Sequence, residues 1–213
     1  GLNWTLQPHP LSFTFSSRLY SVQFIDSNNG WAVGGTGVGG GHAGFEILNT
    51  TNGGAEWIVQ SHSYPKKAVL RLKDPGYTDE PPGFKSVFFK DALNGVAVGG
   101  AYNTWDTFII STTDGGNTWI TKYYDMEFKP MLYSVFVTEE GNGWAVGSDG
   151  CMITTDDNGN NWSEQLSGTD YEINSQFFID ENEGWICGAS TFGAEIPIIM
   201  HTTNSGKVWK NQF

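Results

Sequence analysis

The sequence predicts an all-β fold, a β-propeller of four-stranded antiparallel blades with four complete repeats and an extra N-terminal strand. Three observations lead there. A Gly-Trp-Ala-Val-Gly-like segment occurs four times, at residues 30–34, 95–99, 143–147 and 184–188. Each copy is followed, after a loop of varying length, by a Thr-x-Asp/Asn-x-Gly-x-x-Trp segment, at residues 50–57, 112–119, 155–162 and 202–209. The closing tryptophans lie 62, 43 and 47 residues apart, a period that marks a solenoid or propeller made of short strands. The composition agrees: 15% aromatic, 16% charged and 28 glycines in 213 residues suit many short strands joined by tight turns.

Each repeat divides into four strand-like pieces. The first is an alternating run: Leu19 to Phe24, Phe84 to Phe89, Leu132 to Val137 and Ile173 to Phe178. Because side chains alternate faces along a strand, Val22 and Phe24 share one face and Ser21 takes the other, and the same holds in the other copies. The second piece is the Trp-Ala-Val run, too apolar for an edge strand. It follows a polar turn that ends in Gly30, Gly95, Gly143 or Gly184, where glycine is expected to supply a positive φ. The third piece is Phe45 to Asn49, Phe108 to Ser111, Cys151 to Thr154 and Ile198 to His201. The fourth starts at the closing tryptophan and runs outward into polar residues, as in Trp57 to Gln60. One domain, 1–213, is expected, with units near 18–60, 84–123, 132–166 and 172–213. Trp4-Thr5-Leu6-Gln7 matches a fourth strand and belongs to a further blade position.

The Thr-x-Asp-x-Gly-x-x-Trp segments resemble the Asp-box, or bacterial neuraminidase repeat. The wider pattern, Leu-x-Ser-Val-x-Phe, then Gly-Trp-Ala-Val-Gly, then the Asp-box, is similar to the photosystem II stability/assembly factor-like repeat over nearly the whole chain. That resemblance implies the propeller fold. It leaves function open, because such repeats occur in photosynthetic assembly factors, glycosidases, sorting receptors and secreted bacterial proteins.

Asp114 and Asp157 have Asn52 and Asn204 as counterparts, so these positions are expected to serve the turn. A short polar side chain accepting backbone N–H bonds does that work as amide or carboxylate, whereas a general acid does not tolerate the exchange. Trp57, Trp119, Trp162 and Trp209 are expected to pack between neighbouring strands. A sialidase needs three arginines on its substrate carboxylate, and this chain has Arg18 and Arg71 alone. A glycosidase carboxylate pair is not identifiable either. His9, His42, His62 and His201 lack metal-ligand spacing, and neither a metal nor a cofactor is implied. Residues 35–44 read as a glycine-rich hairpin loop, since no Lys-Ser/Thr follows them. Lys66, Lys67, Arg71 and Lys73 read as part of a solvated insertion. Cys151 and Cys187 are expected to be two buried thiols, the alternative being a disulfide between repeats, which would need their Cβ atoms about 4 Å apart.

A net charge of −12 disfavours nucleic acid and anionic membrane surfaces. No apolar run is long enough to span a bilayer as a helix. The start at Gly-Leu-Asn-Trp reads as a trimmed mature form or an excised piece, and an extracytoplasmic location (periplasmic, secreted or cell-surface) is expected. Loop length is the best functional signal. The connections between second and third strands, and those between units, vary most, and in an up-and-down blade they open on one face. They carry Tyr77, Tyr102, Trp105, Tyr123, Tyr124 and Phe192, aromatic types enriched in recognition surfaces. The expected function is therefore a non-catalytic protein-binding or assembly scaffold. A carbohydrate-binding or carbohydrate-active accessory module, or a structural piece of a larger propeller, is the alternative. Five fourth-strand segments for four units suggest an open arc, completed by self-association or by further sequence, over a closed four-bladed ring.

Overall fold

The computed structural model describes residues 5–7, 17–36, 44–60, 83–101, 106–125, 130–190 and 196–212. They form four sheets of four antiparallel strands, each ordered as its strands follow in the chain. The first sheet is β1 (Ser17–Phe24), β2 (Gly30–Thr36), β3 (Gly44–Thr50) and β4 (Ile58–Val59). The second is β5 (Gly83–Phe89), β6 (Gly95–Ala101), β7 (Asp106–Thr112) and β8 (Ile120–Asp125). The third is β9 (Leu132–Val137), β10 (Gly143–Gly147), β11 (Met152–Thr155) and β12 (Ser163–Glu164), and the fourth is β13 (Glu172–Phe178), β14 (Gly184–Ala189), β15 (Pro197–Thr202) and β16 (Lys210–Asn211). These are the blades of a β-propeller.

The sheets pack in series, and the alternation of the strands decides which residue meets which neighbour. Trp31, Val33, Phe45 and Ile47 leave the first sheet toward Phe84, Val87, Phe89 and Ala97 of the second. Val96, Val98 and Ile109 leave the second toward Leu132, Val135, Val137 and Ala145 of the third. Trp144, Val146 and Met152 leave the third toward Ile173, Phe178, Ile186 and Met200 of the fourth. Among the described residues no apolar cluster joins the fourth sheet to the first, so the four blades form an arc.

Within two of these interfaces the tryptophan of the Gly-Trp-Ala-Val-Gly segment lies flat on a phenylalanine of the next blade. Trp31 stacks on Phe89 at 3.5 Å and 9°, and Trp144 on Phe178 at 3.6 Å and 11°. The same phenylalanines take the closing tryptophan of their own blade edge-on, Trp119 at 5.8 Å and Trp209 at 5.9 Å. Each such ring therefore ties two blades together. At the second interface Val96 stands where the tryptophan would be, and polar bridges join the blades instead: Lys90 Nζ donates to Glu139 O at 2.6 Å, and Lys122 Nζ to Asn160 Oδ1 at 3.0 Å.

The glycines before β2, β6 and β14 act differently from the expectation. Gly30, Gly95 and Gly184 do not adopt positive φ. A Cβ at any of them would strike the ring of Phe24, Phe89 or Phe178, so it is the close approach of the ring that excludes a side chain. The thiols also depart from expectation: Cys151 is half-buried and Cys187 exposed, and neither is in a disulfide. Cys187 occupies the place of the fully buried Val33, Val98 and Val146, but among the described residues no blade packs against that face of its sheet. Thr5, Leu6 and Gln7 are exposed, pair with no strand and lie beside the first sheet; Trp4 is outside the described residues.

Truncating a ring that serves two blades should cost more than its own contacts within a blade. Trp144→Ala is expected to lower stability by about 3–5 kcal/mol, measured by urea denaturation, whereas Trp185→Ala, on the outward face of the fourth sheet, should cost less than half of that.

Candidate functional site

The blade has two ends with different construction. At one end, the turns before β2, β6, β10 and β14 meet the Asp-box turns. Gly53 N donates to Asn28 O, Gly115 N to Leu93 O, Asn158 N to Gly141 O and Ser205 N to Asn182 O, all at 2.9 Å. Each Asp-box turn is closed by its threonine and its Asp or Asn acting together. Gly116 N donates to Thr112 Oγ1 at 2.8 Å, Thr112 Oγ1 donates to Asp114 Oδ1 at 2.8 Å, and Thr118 N donates to the same Oδ1 at 2.8 Å. Thr50 with Asn52, Thr155 with Asp157 and Thr202 with Asn204 repeat the arrangement. Carboxylate and amide oxygen thus accept the same hydrogen bonds in the four turns. The threonines are a finding beyond the expectation: all four are buried. Two consecutive residues hold positive φ, Gly115 at 73° and Gly116 at 90° in one copy, Ser205 at 60° and Gly206 at 74° in another. Only the second of the two is glycine in every copy.

The same turn receives the preceding blade. Trp31 Nε1 donates to Gly115 O at 3.1 Å and Gln60 Nε2 to the same oxygen at 3.0 Å. Trp144 Nε1 donates to Ser205 O at 3.3 Å and Gln165 Nε2 to Gly206 O at 2.5 Å. Of the eight Asp-box residues singled out in sequence, Asn52, Asp114, Asp157 and Asn204 sit in the turns, Trp119 and Trp209 are buried, and Trp57 and Trp162 half-buried. The pattern Trp-x-x-Gln at 57–60, 162–165 and 209–212 was the signal that could have revealed the glutamine contact.

At the opposite end, the connections between second and third strands meet those between blades. Gly150 N donates to Tyr171 O at 2.8 Å, Ser148 N to Met131 O at 2.9 Å, and Ser167 Oγ to Gly150 O at 2.7 Å. Thr107 Oγ1 donates to Pro130 O at 2.6 Å. Among the described residues, the Ser148–Gly150 connection of the third blade thus lies against the connections that precede and follow that blade. This loop face carries a groove of about 610 Å³ between the second and third blades, floored by Met152 and Ile153 and walled by Tyr123 and Leu166. Asp149, Glu164 and Asp170 stand around it, and none of its described lining residues is basic. Leu166 is 91% exposed, an apolar side chain held out in solvent at the groove's edge. Tyr123 OH donates to Glu164 Oε1 at 3.2 Å across the blade boundary. Asp149 adopts φ of 52°, which presents its carboxyl at the tight turn Ser148–Gly150.

Of the six aromatic residues expected on the loop face, Tyr123 lines this groove. Tyr124 is placed in β8, and its side chain is outside the described residues, as are Tyr77, Tyr102, Trp105 and Phe192. Among the described residues no group of three His, Cys, Asp or Glu side chains is placed to hold a metal ion, and no helix is long and apolar enough to cross a membrane.

With this geometry the comparisons with known proteins can be read. Residues 122–212, covering the third and fourth blades, match the family model described as Photosynthesis system II assembly factor YCF48. Over 95 residues, 43% of the chain, it is 28% identical to the Photosystem II assembly lipoprotein Ycf48 of Synechococcus sp. (strain CC9902), and the aligned part spans 27% of that relative. Among solved structures, YCF48 bound to D1 peptide superposes with a TM-score of 0.50 at 14% identity, over 97% of this chain and 87% of that one. A GH74 enzyme of Niastella koreensis superposes with a TM-score of 0.59 at 11% identity, over 91% of this chain and 30% of that one. At such identities the superpositions speak for the propeller fold and no further.

The Asp-box carboxyls give a pH signature. The backbone N–H of Asn161, with its side-chain amide and Thr155, holds the Asp157 carboxyl down at about 2. An unfolded aspartate titrates near ~3.9. Its contribution to stability is then fully present above that value and lost as pH falls through about 2. Asp157→Asn should keep the fold, as Asn52 and Asn204 do in their copies, and should flatten the fall in stability between about pH 4 and 2; an unchanged slope in urea titrations would contradict the assignment.

Proposed function

We propose that this chain is a non-catalytic assembly scaffold that holds an extended segment of a partner protein on its loop face, in the groove beside Tyr123. The observation that carries the reading is the groove itself, with apolar lining residues and an exposed leucine at its edge. Its size is that of ordinary ligand sites, about 300–1,000 Å³, and a rigid scaffold displaying variable loops is the usual setting for recognition. The similarity to photosystem II assembly factors supports a role in assembling other proteins, and a YCF48 structure contains a D1 peptide. The similarity to a lipoprotein supports an extracytoplasmic location.

The chemistry of the groove narrows the ligand. Met152, Ile153 and Leu166 favour an apolar side chain, and the carboxylates of Asp149 and Asp170 favour a lysine or arginine beside it. Tyr102 and Trp105, in the connection between β6 and β7, and Tyr77, Tyr124 and Phe192 are proposed as further contacts from the same face.

Titration of labelled protein with the D1 peptide, and with a short apolar peptide flanked by lysines, tests the reading by chemical-shift mapping. Shifts are expected at Gly150, Gly168 and Asp170, with Asn28 and Asn182 unmoved, and Leu166→Asp should weaken binding about tenfold or more. Shifts confined to the Asp-box end, or a preference for an oligosaccharide over both peptides, would contradict it.

A further inference from the structure

We infer that the outward face of the fourth sheet is a docking face for the first sheet of a second copy of this chain. The interior interfaces supply the standard for comparison. In the first three sheets the residue at the centre of the third strand is shut away: Ile47 and Ile109 are 0% exposed and Met152 is 2%. Their counterpart Ile199, paired with Cys187 as Ile47 is with Val33, is 39% exposed. Phe177, the counterpart of the half-buried Phe88 and Phe136, is 59% exposed. A soluble fold normally covers such a face.

The polar groups of the fourth sheet show the same vacancy. Trp185 stands where Trp31 and Trp144 stand in their sheets, but its ring stacks on His201 at 4.5 Å, and its Nε1 has no Asp-box carbonyl to meet. His201 Nε2 lies 3.0 Å from Glu183 Oε1, so this ring pair is held in place from behind. Gln212, the counterpart of Gln60 and Gln165, donates to Lys210 O of its own strand. An aromatic platform and a glutamine donor are thus in position for a blade that presents a phenylalanine and an Asp-box turn.

The outward face of the first sheet presents both. Phe24 is the counterpart of Phe89 and Phe178, which take the tryptophan stacks, yet it is 42% exposed, with Val22 at 61%. Gly53 is the counterpart of Gly115 and Ser205, whose carbonyls accept the indole N–H. Beside Val22 on this sheet lies an apolar hollow of about 420 Å³, lined by Ala32, Leu48 and Trp57. Leu6 and Gln7 lie over it; Leu6 is 97% exposed, so this cover is loose and yields to a better one. The two open faces are thus complementary in the same terms as the interfaces inside the chain. Two copies joined at both ends would carry eight blades, within the roughly four to eight of closed rings, and the two-fold symmetry would close the assembly.

The experiment is sedimentation of the 213-residue chain over a concentration series up to about 100 μM, with Trp185→Asp, Phe24→Asp and an equimolar mixture of the two. A reversible two-copy species is expected, weakened about a hundredfold or more in either variant alone. The mixture should regain a two-copy species of intermediate affinity, because one intact pair of faces remains between the two kinds of chain. Circular dichroism checks that both variants fold; Trp185→Asp changes an outward residue and carries the test if Phe24→Asp does not fold. A strict monomer throughout, or an oligomer indifferent to both substitutions, overturns the inference and assigns the face to some other sheet or protein. Peptide binding at the loop face is read separately and does not depend on this result.

Discussion

The structure rests on a constraint that a single four-stranded sheet cannot satisfy alone: both of its faces are apolar, and each must be covered. The chain meets it by making the two faces different and complementary. One face offers a tryptophan and a glutamine from the second and fourth strands; the other offers a phenylalanine from the first strand and the carbonyls of the Asp-box turn. Trp31 on Phe89 and Trp144 on Phe178 are the two places where the arrangement is complete. Blade geometry, the glycines that make room for the rings and the tightness of the Asp-box turn follow from it. The turn has to be rigid because it is the receptor for its neighbour, and the buried threonine hydroxyl is what makes it rigid.

This separates the two ends of the propeller. The Asp-box end is committed to holding blades together, and its polar groups face one another. The loop end is free of that duty. Its connections vary in length, and at the boundary of the second and third blades they enclose the groove beside Tyr123. The second interface is also the one where Val96 takes the place of the stacking tryptophan, and Lys90, Lys122 and Tyr123 add polar contacts across it. The candidate site and the interface without a stacked tryptophan–phenylalanine pair thus share a blade boundary.

Much of this was legible in the sequence because repetition gives four readings of each position. The four strands per unit and the exchange of Asp for Asn at 52, 114, 157 and 204 follow from comparing copies. What escaped was contact between copies. That Gln60 reaches Gly115 depends on how blades lie against one another, and strand periodicity is silent on that. The thiols were misjudged for the same reason: Cys187 lies at a position that is buried in every blade followed by another. The groove escaped because Met152, Ile153 and Leu166 come from a strand and a connection whose proximity is tertiary.

The measurement that bears most directly on this account is a double-mutant cycle across one interface, Trp144→Ala with Phe178→Ala, read by urea denaturation. Coupling between blades through the stacked pair predicts an interaction energy of about 0.5–1.5 kcal/mol beyond additivity, with no such coupling between Trp185→Ala and Phe178→Ala. Additive losses for Trp144 and Phe178 would show that the blades are held by surface burial alone, and the account would fail.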